Sequence, residues 1–304
     1  MQNINCPQLK KQLQEIDKIQ ADIELMIVDV DKQGLSDLDK MINMLSSLMI
    51  KLEELLPVGL MLQKRERQKI GRFFKREVEL PEFPKSVTHE KIRNWERLGF
   101  KLHCLPKTSF EDFDNNLKNS LYQFGASLGF FSKFELNGCW ILVDTCPKPE
   151  ISEPVTEYNN DSLAPVIVKL KAMGLLEAEP KVKASKQQAS DKKMQISQSS
   201  RYGQTPIELE SKIGVKQAFA DLLNVEWTQV GLPRLPEYYF LGNIHHPEWS
   251  KTSTMEWLNN DFASLGSTIC SGSSTKNGFS GIGHFNSEYR SQNIGFRLVV
   301  RIDK

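Results

Sequence analysis

Two stretches of the chain repeat their apolar residues with helical spacing. Between Leu9 and Val30, and again between Leu38 and Leu56, apolar side chains recur at alternating intervals of four and three residues. This spacing places them on one face of an α-helix, and Gly34 between the two series suits the end of the first helix. The pattern predicts an N-terminal helical hairpin. Its apolar seam packs either on the chain's own second domain or on another copy of the chain, as in a homo-oligomer.

The next stretch, residues 64–76 (KRERQKIGRFFKR), is strongly basic. Its lysines and arginines could contact phosphates beside Phe73 and Phe74, which would make the protein nucleic-acid-associated. The same pattern also describes a solvated helix face with two core aromatic residues. We favour this second interpretation, because one basic helix without a DNA-reading motif is a weak signal. The hairpin and this segment form a predicted first domain, residues 1–76.

Beyond residue 77, helical and strand patterns alternate, which predicts an α+β fold. Residues 92–106 fit a helix followed by a short strand. Residues 134–150 fit two strands joined by a turn at Asn137-Gly138. Further helical patterns fall at residues 110–126, 161–177 and 205–224.

Residues 179–206 lose all periodicity and are rich in Lys, Gln and Ser. This composition predicts a disordered insertion within a second domain, residues 77–304. Residues 231–243 are interpreted as an aromatic turn region.

The last apolar run, residues 293–300, has strand periodicity, with one wholly apolar face. Arg297 in this run is either exposed or the buried partner of a carboxylate. Glu256 is the candidate partner, because a lone buried guanidinium is costly. Trp257 points to the opposite face of an extended chain and is expected to pack in the core.

Composition limits the classes of function. The 304-residue chain has a formal net charge of +1, so it has no overall attraction to nucleic acid or to an anionic membrane. No apolar run approaches the roughly 20 residues that span a bilayer, and the N-terminus lacks the layout of a secretion signal. The five scattered cysteines form neither a disulfide framework nor a CxxC zinc motif. We expect a cytoplasmic protein with reduced thiols and no membrane partner.

Four short stretches near the C-terminus carry a family resemblance. In order they are GLPRLPEYYFLGN (231–243), TSTMEWLNNDF (252–262), SGSS (271–274) and NIGFRLVV (293–300). This order resembles the C-terminal half of the formylglycine-generating enzyme and sulfatase-modifying-factor superfamily. The resemblance implies an α+β architecture in which the helical hairpin precedes a C-type-lectin-like (formylglycine-generating-enzyme-like) domain. The residues expected to support that domain's structure are Glu256, Trp257, Gly295, Phe296 and Arg297.

The catalytic residues of that superfamily have no counterparts in this sequence. Formylglycine-generating members hold copper with paired cysteines near the C-terminus, whereas Cys270 stands alone. Other members bind iron with a histidine cluster in an added helical domain, and residues 6–60 contain no histidine. We interpret His245 and His246, with Glu248 nearby, as a surface turn before a proline rather than as metal ligands. We therefore expect no enzyme activity, no cofactor and no metal, with a divergent metal-dependent oxidase as the alternative.

Residues 271–291 consist mainly of small polar residues, glycines and aromatic residues, a composition typical of antibody-like binding surfaces. At this place the sequence is similar to the variable proteins of diversity-generating retroelements. Those proteins share the lectin-like fold, end in a NIGFRLV-like strand, and have codons for ligand-contacting residues that are rewritten at adenines. The alternative is an ordinary lectin-like domain in which turn geometry sets the composition of the loop.

The similarity to variable proteins implies a non-catalytic display protein whose loop 271–291 binds an unknown ligand, expected to be a protein. Lys276, Glu288 and Arg290 are predicted to be fixed scaffold residues. The residues predicted to contact the ligand are Ser273, Thr275, Asn277, Phe279, His284, Asn286, Ser287 and Tyr289.

Overall fold

The computed structural model describes residues 18, 58–109, 112, 135–150, 157–178, 196–259, 267–274 and 278–302. Three sequence predictions therefore fall outside the described residues. They are the hairpin helices at 9–56 (apart from Lys18), nearly all of the helix at 110–126, and residues 179–195 of the insertion.

The α-helices of the described residues are α1 (Val58–Phe74), α2 (His89–Arg97), α3 (Ala164–Ala172), α4 (Pro206–Ser211), α5 (Ile213–Leu223) and α6 (Leu235–Ile244). Short 3-10 turns follow at Trp227–Gln229 and Pro247–Ser250. None of the helices in the described ranges combines the length and apolarity needed to cross a bilayer.

The strands of the described residues are β1 (Phe100–Thr108), β2 (Leu136–Asp144), β3 (Val230–Gly231), β4 (Met255–Trp257), β5 (Ser267–Ser273), β6 (Gly278–Asn286), β7 (Ile294–Phe296) and β8 (Val299–Ile302). They form a first sheet in the order β1-β2-β8-β3 and a second sheet in the order β6-β5-β4-β7. The pairing is antiparallel except between β4 and β7, which run parallel. This part of the chain is therefore an α+β fold.

The C-terminal segment joins the two sheets. Ile294 pairs with Met255 in the second sheet, and Val300 pairs with Leu142 in the first. The single strand predicted at 293–300 is thus two short strands. Every side chain from Ile294 to Val300 is buried, because the segment is covered on both faces where it passes from one sheet to the other.

The turn predicted at Asn137-Gly138 is wrong. Strand β2 runs through this pair, and Asn137 lies opposite Lys107 of β1. Gly138 has a φ of +71°, a conformation that glycine adopts without steric penalty. The pair therefore lies within a continuous strand and does not reverse the direction of the chain.

Residues 231–243 form β3 and α6 rather than an aromatic turn region. Arg234 and Glu237 cap α6, since Glu237 Oε2 accepts the Arg234 backbone N–H at 2.7 Å. Glu237 is fully buried and also receives Arg301 Nη2 at 2.6 Å. These charged contacts let a largely apolar helix, with Tyr238 and Phe240 completely buried, begin at a defined residue.

The end of the predicted disordered insertion is ordered core. Arg201 is fully buried and pairs with Asp144 and with Asp161, and its guanidinium lies 4.3 Å from the ring centre of Tyr158. Thr205 then caps α4. The prediction failed at 196–206 because buried ion pairs, rather than an apolar pattern, hold this segment in place.

Helix α1 packs inside the fold that follows it. Ile70 is fully buried, and the rings of Phe74 and Phe240 stack with centroids 6.0 Å apart. The basic side chains of 64–76 are exposed, and Phe73 and Phe74 are half-buried. Exposed basic side chains are common to both interpretations of this segment. The domain boundary predicted after residue 76 therefore separates α1 from elements that it contacts.

Candidate functional site

Arg297 and Glu256 form a buried ion pair where the two sheets join. Neither residue is exposed to solvent. Arg297 donates from Nη2 to Glu256 Oε1 at 2.8 Å and from Nε to Oε2 at 3.1 Å, the two-point contact that a guanidinium and a carboxylate favour. The sequence indicated this partner for Arg297. Trp257, next to Glu256, is fully buried and packs in the core.

Tyr158 and Lys148 complete the surroundings of Glu256. The Tyr158 hydroxyl donates to Glu256 Oε1 at 2.6 Å. Lys148 is buried and donates from Nζ to the carbonyl oxygens of Thr254 at 2.5 Å and Gly272 at 2.6 Å. Burial lowers the pKa of Lys148 to about 8. Burial alone would raise the pKa of Glu256, but the charge of its cationic neighbours holds it below its ordinary value.

The predicted loop 271–291 is largely a β-hairpin made of β5 and β6. Of the residues predicted to contact a ligand, His284 and Asn286 are exposed and Tyr289 is half-buried. Thr275 and Asn277 lie outside the described residues. The remaining three, Ser273, Phe279 and Ser287, are buried, so their prediction as surface contacts is wrong. Strand pairing explains this result, because alternate side chains of a hairpin must face the interior.

The chain is fixed to the rest of the fold at the start of β6 and again just after its end. Phe279 packs edge-to-face on Tyr238 with centroids 5.6 Å apart, and its ring lies where a β-carbon at Gly242 would be. Arg290 donates to Glu208 Oε2 at 2.7 Å. The accessible part is the hairpin surface, which we define as His284, Asn286 and Tyr289.

A second polar group lies in the interior, away from Glu256. Glu66 of α1, His103 of β1, and His245 and His246 directly after α6 form this histidine cluster. Glu66 and the side chain of His245 are fully buried, and His103 and His246 are 3% and 6% exposed. The interpretation of His245 and His246 as a surface turn is therefore wrong. The chain folds back after α6 and carries both rings inward against β1.

The cluster is linked by close contacts between ring nitrogens and carboxylate oxygens. His103 Nδ1 lies 3.4 Å from Glu66 Oε1, and His103 Nε2 lies 3.1 Å from His246 Nε2. His246 Nδ1 lies 3.1 Å from Glu248 Oε1, and its ring stacks on Trp249. The carboxylate of Glu66 is thus connected through two imidazoles to an acidic residue near the surface.

His245 faces the other oxygen of Glu66. Its Nε2 lies 3.2 Å from Glu66 Oε2, but neither ring nitrogen of His245 makes an aligned hydrogen bond, although both are buried. Glu66 Oε2 accepts the backbone N–H of Cys104 at 3.1 Å. Glu66, His103 and His245 together form a group whose possible metal-ligand atoms all lie within 4.8 Å of one another.

Burial and contact set the charges of this cluster. Burial lowers the pKa of His103 to about 4 and that of His246 to about 2. Burial alone would raise the pKa of Glu66, but the imidazoles of His103 and His245, whose ring nitrogens face its two oxygens, lower it below its ordinary value. Burial raises the pKa of the Cys104 thiol, which therefore stays protonated.

Sequence reasoning did not identify Glu66 or His103. A signal was present, because Glu66 lies four residues from both Leu62 and Ile70, on the apolar stripe of its helix. Likewise, His103 lies in the apolar stretch Leu102–Leu105. The signal marks both residues as inward-facing but does not show that they meet.

Comparisons of the chain with protein-family models, with curated proteins and with solved structures found no match.

Proposed function

We propose that the chain is a non-catalytic binding protein in which a C-type-lectin-like domain presents the hairpin surface to a protein ligand. The observation that carries the proposal is the division of residues 271–291 into an anchored side and an accessible side. His284 and Asn286 stand two residues apart on β6, on the same side of the strand, and both are exposed. The buried ring of Phe279 and the partly buried ion pair between Arg290 and Glu208 hold the strand that carries His284 and Asn286.

An aromatic pair lies beside these polar residues. Phe285 and Tyr289 stack with centroids 4.6 Å apart and an interplanar angle of 10°, and Phe285 also packs against the buried Trp257. A half-buried tyrosine held in one orientation contributes contact area at a low cost in conformational entropy. Aromatic anchors surrounded by adaptable polar groups are typical of protein-binding surfaces.

The resemblance to variable proteins of diversity-generating retroelements supports the same function. The hairpin adds a prediction about which positions vary. Codons for His284, Asn286 and Tyr289 are free to vary, whereas Phe279 and Arg290 fill fixed positions in the scaffold. Diversification should therefore follow exposure along β6.

The test is to sequence the 3′ end of the gene, with its flanking DNA, across a population of the source cells. We expect adenine-directed variation at codons 284, 286 and 289, constancy at codons 279 and 290, and a near-copy of the segment beside a reverse transcriptase gene. Uniform codons with no near-copy would contradict diversification. Variation at Phe279 as frequent as at His284 would contradict the assignment of the binding surface.

A further inference from the structure

The hydrogen bonds of the histidine cluster are one proton short. Three contacts run in series, from Glu66 to His103, from His103 to His246, and from His246 to Glu248, at 3.4, 3.1 and 3.1 Å. Each contact requires one hydrogen between its two heavy atoms. Two neutral imidazoles carry one N–H each, and ionised carboxylates carry none. In one of the three contacts, two lone pairs therefore face each other unless an extra proton or a metal cation lies between the two atoms.

The geometry places this deficit at Glu66. If His246 donates from Nδ1 to Glu248 and His103 donates from Nε2 to His246, both 3.1 Å contacts are satisfied. His103 Nδ1 then keeps a lone pair that faces Glu66 Oε1. This contact is the longest of the three, at 3.4 Å.

His245 brings a further nitrogen to the same carboxylate. Its Nε2 lies 3.2 Å from Glu66 Oε2, and its side chain is fully buried. Both ring nitrogens nevertheless lack an aligned hydrogen bond. Buried polar atoms normally have a partner, so an orphaned imidazole beside a buried carboxylate is independent evidence that the site holds something besides side chains.

We propose that Glu66, His103 and His245 bind a divalent transition-metal ion of the zinc type. Zinc bound tetrahedrally by nitrogen and oxygen holds its ligand atoms about 3.3 Å apart. His103 Nδ1 lies 3.4 Å from Glu66 Oε1 and His245 Nε2 lies 3.2 Å from Oε2, close to this spacing, and all the candidate ligand atoms lie within 4.8 Å of one another. The ion would accept the two nitrogen lone pairs and balance the carboxylate charge.

The ligand set defines the class of ion. Two imidazoles and one carboxylate suit zinc or iron(II), whereas magnesium and calcium prefer oxygen ligands. His246 is an outer-shell residue, because its Nε2 accepts from His103 and holds that ring in place. The Cys104 N–H orients the carboxylate in the same way.

The ligands come from α1, β1 and the chain directly after α6, so the ion would connect three segments that are distant in sequence. An ion that binds the folded chain but not the unfolded chain raises the melting temperature. The metal would therefore serve to hold α1 against the sheet, a role separate from that of the hairpin surface.

The test strips the full chain with a chelator and titrates it with Zn²⁺, while bound metal is counted by mass spectrometry and Tm is followed by circular dichroism. We expect one Zn²⁺ per chain and a rise in Tm that Mg²⁺ does not produce. His245→Ala should abolish both effects. The matched control His89→Ala, which changes a histidine outside the cluster, should retain both.

Glu66→Gln keeps the result interpretable if His245→Ala does not fold. The amide can still form hydrogen bonds but is a poor metal ligand, and we expect Zn²⁺ affinity to fall by at least about 100-fold, since even outer-shell partners are worth 10- to 100-fold. Co²⁺ should give visible d–d bands in the wild type and not in Glu66→Gln. Absence of stoichiometric binding would overturn the proposal and point to an extra proton on His103 or His245. Undiminished binding in both variants would overturn it by placing the ion elsewhere.

Discussion

Glu256 and Glu66 are both fully buried carboxylates, and their surroundings differ in one essential respect. Glu256 has a permanent cation, Arg297, in two-point contact, and a hydroxyl donor, Tyr158, at 2.6 Å. Glu66 has His103, His245 and a backbone N–H. Arg65 Nε also lies 3.6 Å from Glu66 Oε1, but its side chain is 49% exposed.

The difference shows which of the two buried carboxylates has a counter-charge within the described residues. The guanidinium at Glu256 keeps its charge at all accessible pH values. The imidazole of His103, with its pKa lowered to about 4 by burial, is neutral near pH 7. Glu256 therefore has a permanent counter-charge among its buried neighbours, whereas the buried neighbours of Glu66 do not supply one near pH 7.

We expect the largest effect on stability from removing the counter-charge of Glu256. Arg297→Met leaves Glu256 buried without its counter-charge, which we expect to lower the free energy of unfolding by about 3–5 kcal/mol. Denaturant unfolding measures this loss. The double variant Glu256→Met/Arg297→Met should recover part of it, because neither the carboxylate nor the guanidinium of this pair then remains buried alone, although Lys148 loses its nearby carboxylate. A double variant as unstable as the single one would show that packing, rather than charge, controls stability at this position.

Lys148 adds a second positive charge near Glu256, and we expect its contribution to stability to depend on pH. Burial gives Lys148 a pKa of about 8 in the folded protein, against 10.5 for an ordinary lysine. Between these pH values the unfolded chain binds a proton that the folded chain has released. The contribution of Lys148 to stability should therefore increase as pH rises from 8 to 10.5, by up to about 1.4 kcal/mol per pH unit.

This pH effect is measured as the difference in unfolding free energy between wild type and Lys148→Met at several pH values. Glu256, Arg297, Glu150 and Cys270 also face Lys148, but they are present in both proteins and largely cancel in the difference. Lys85→Met, at an exposed lysine, should give no such slope. A flat difference for Lys148→Met would show that Lys148 stays charged throughout.

Glu66→Gln should behave unlike the equivalent change at Glu256. In metal-free protein we expect Glu66→Gln to change stability by less than about 1 kcal/mol, because it removes an uncompensated buried charge and supplies a donor for a neutral imidazole. Glu256→Gln should cost about 3 kcal/mol, since it leaves Arg297 buried without its anion. Chemical denaturation of both chelator-treated variants decides the matter. An equal loss in the two would indicate that Glu66 is paired with a protonated histidine.

The sequence allowed more to be predicted at Glu256 than at Glu66. Strand alternation left Arg297 either exposed or buried, and the cost of a lone buried guanidinium led from it to Glu256 as the candidate partner. His103 and Glu66 are 37 residues apart and belong to elements of different type. Local pattern shows that each faces inward, but only the packing of α1 on β1 brings them together.

The same limit explains the mixed result on the hairpin. Composition singled out residues 271–291 as accessible and polar, and it does include the exposed His284 and Asn286. Composition does not show, however, which face of a strand each residue occupies. The pairing of β5 with β6 decides that Phe279 and Ser273 face inward. A one-residue shift in register would have exchanged the two sets.

The smallest expected effect tests whether Arg65 is the missing cation of Glu66. A partly exposed charge 3.6 Å from its partner is screened by water, so Arg65→Ala should cost less than about 1 kcal/mol. Arg67→Ala, an exposed arginine on the same helix, corrects for the change in helix propensity and net charge. Removing a positive charge beside the cluster should also strengthen Zn²⁺ binding slightly. If Arg65→Ala instead cost 2 kcal/mol or more beyond Arg67→Ala and left Zn²⁺ binding unchanged, Arg65 would be the counter-charge of Glu66. The two buried carboxylates would then be compensated in the same way.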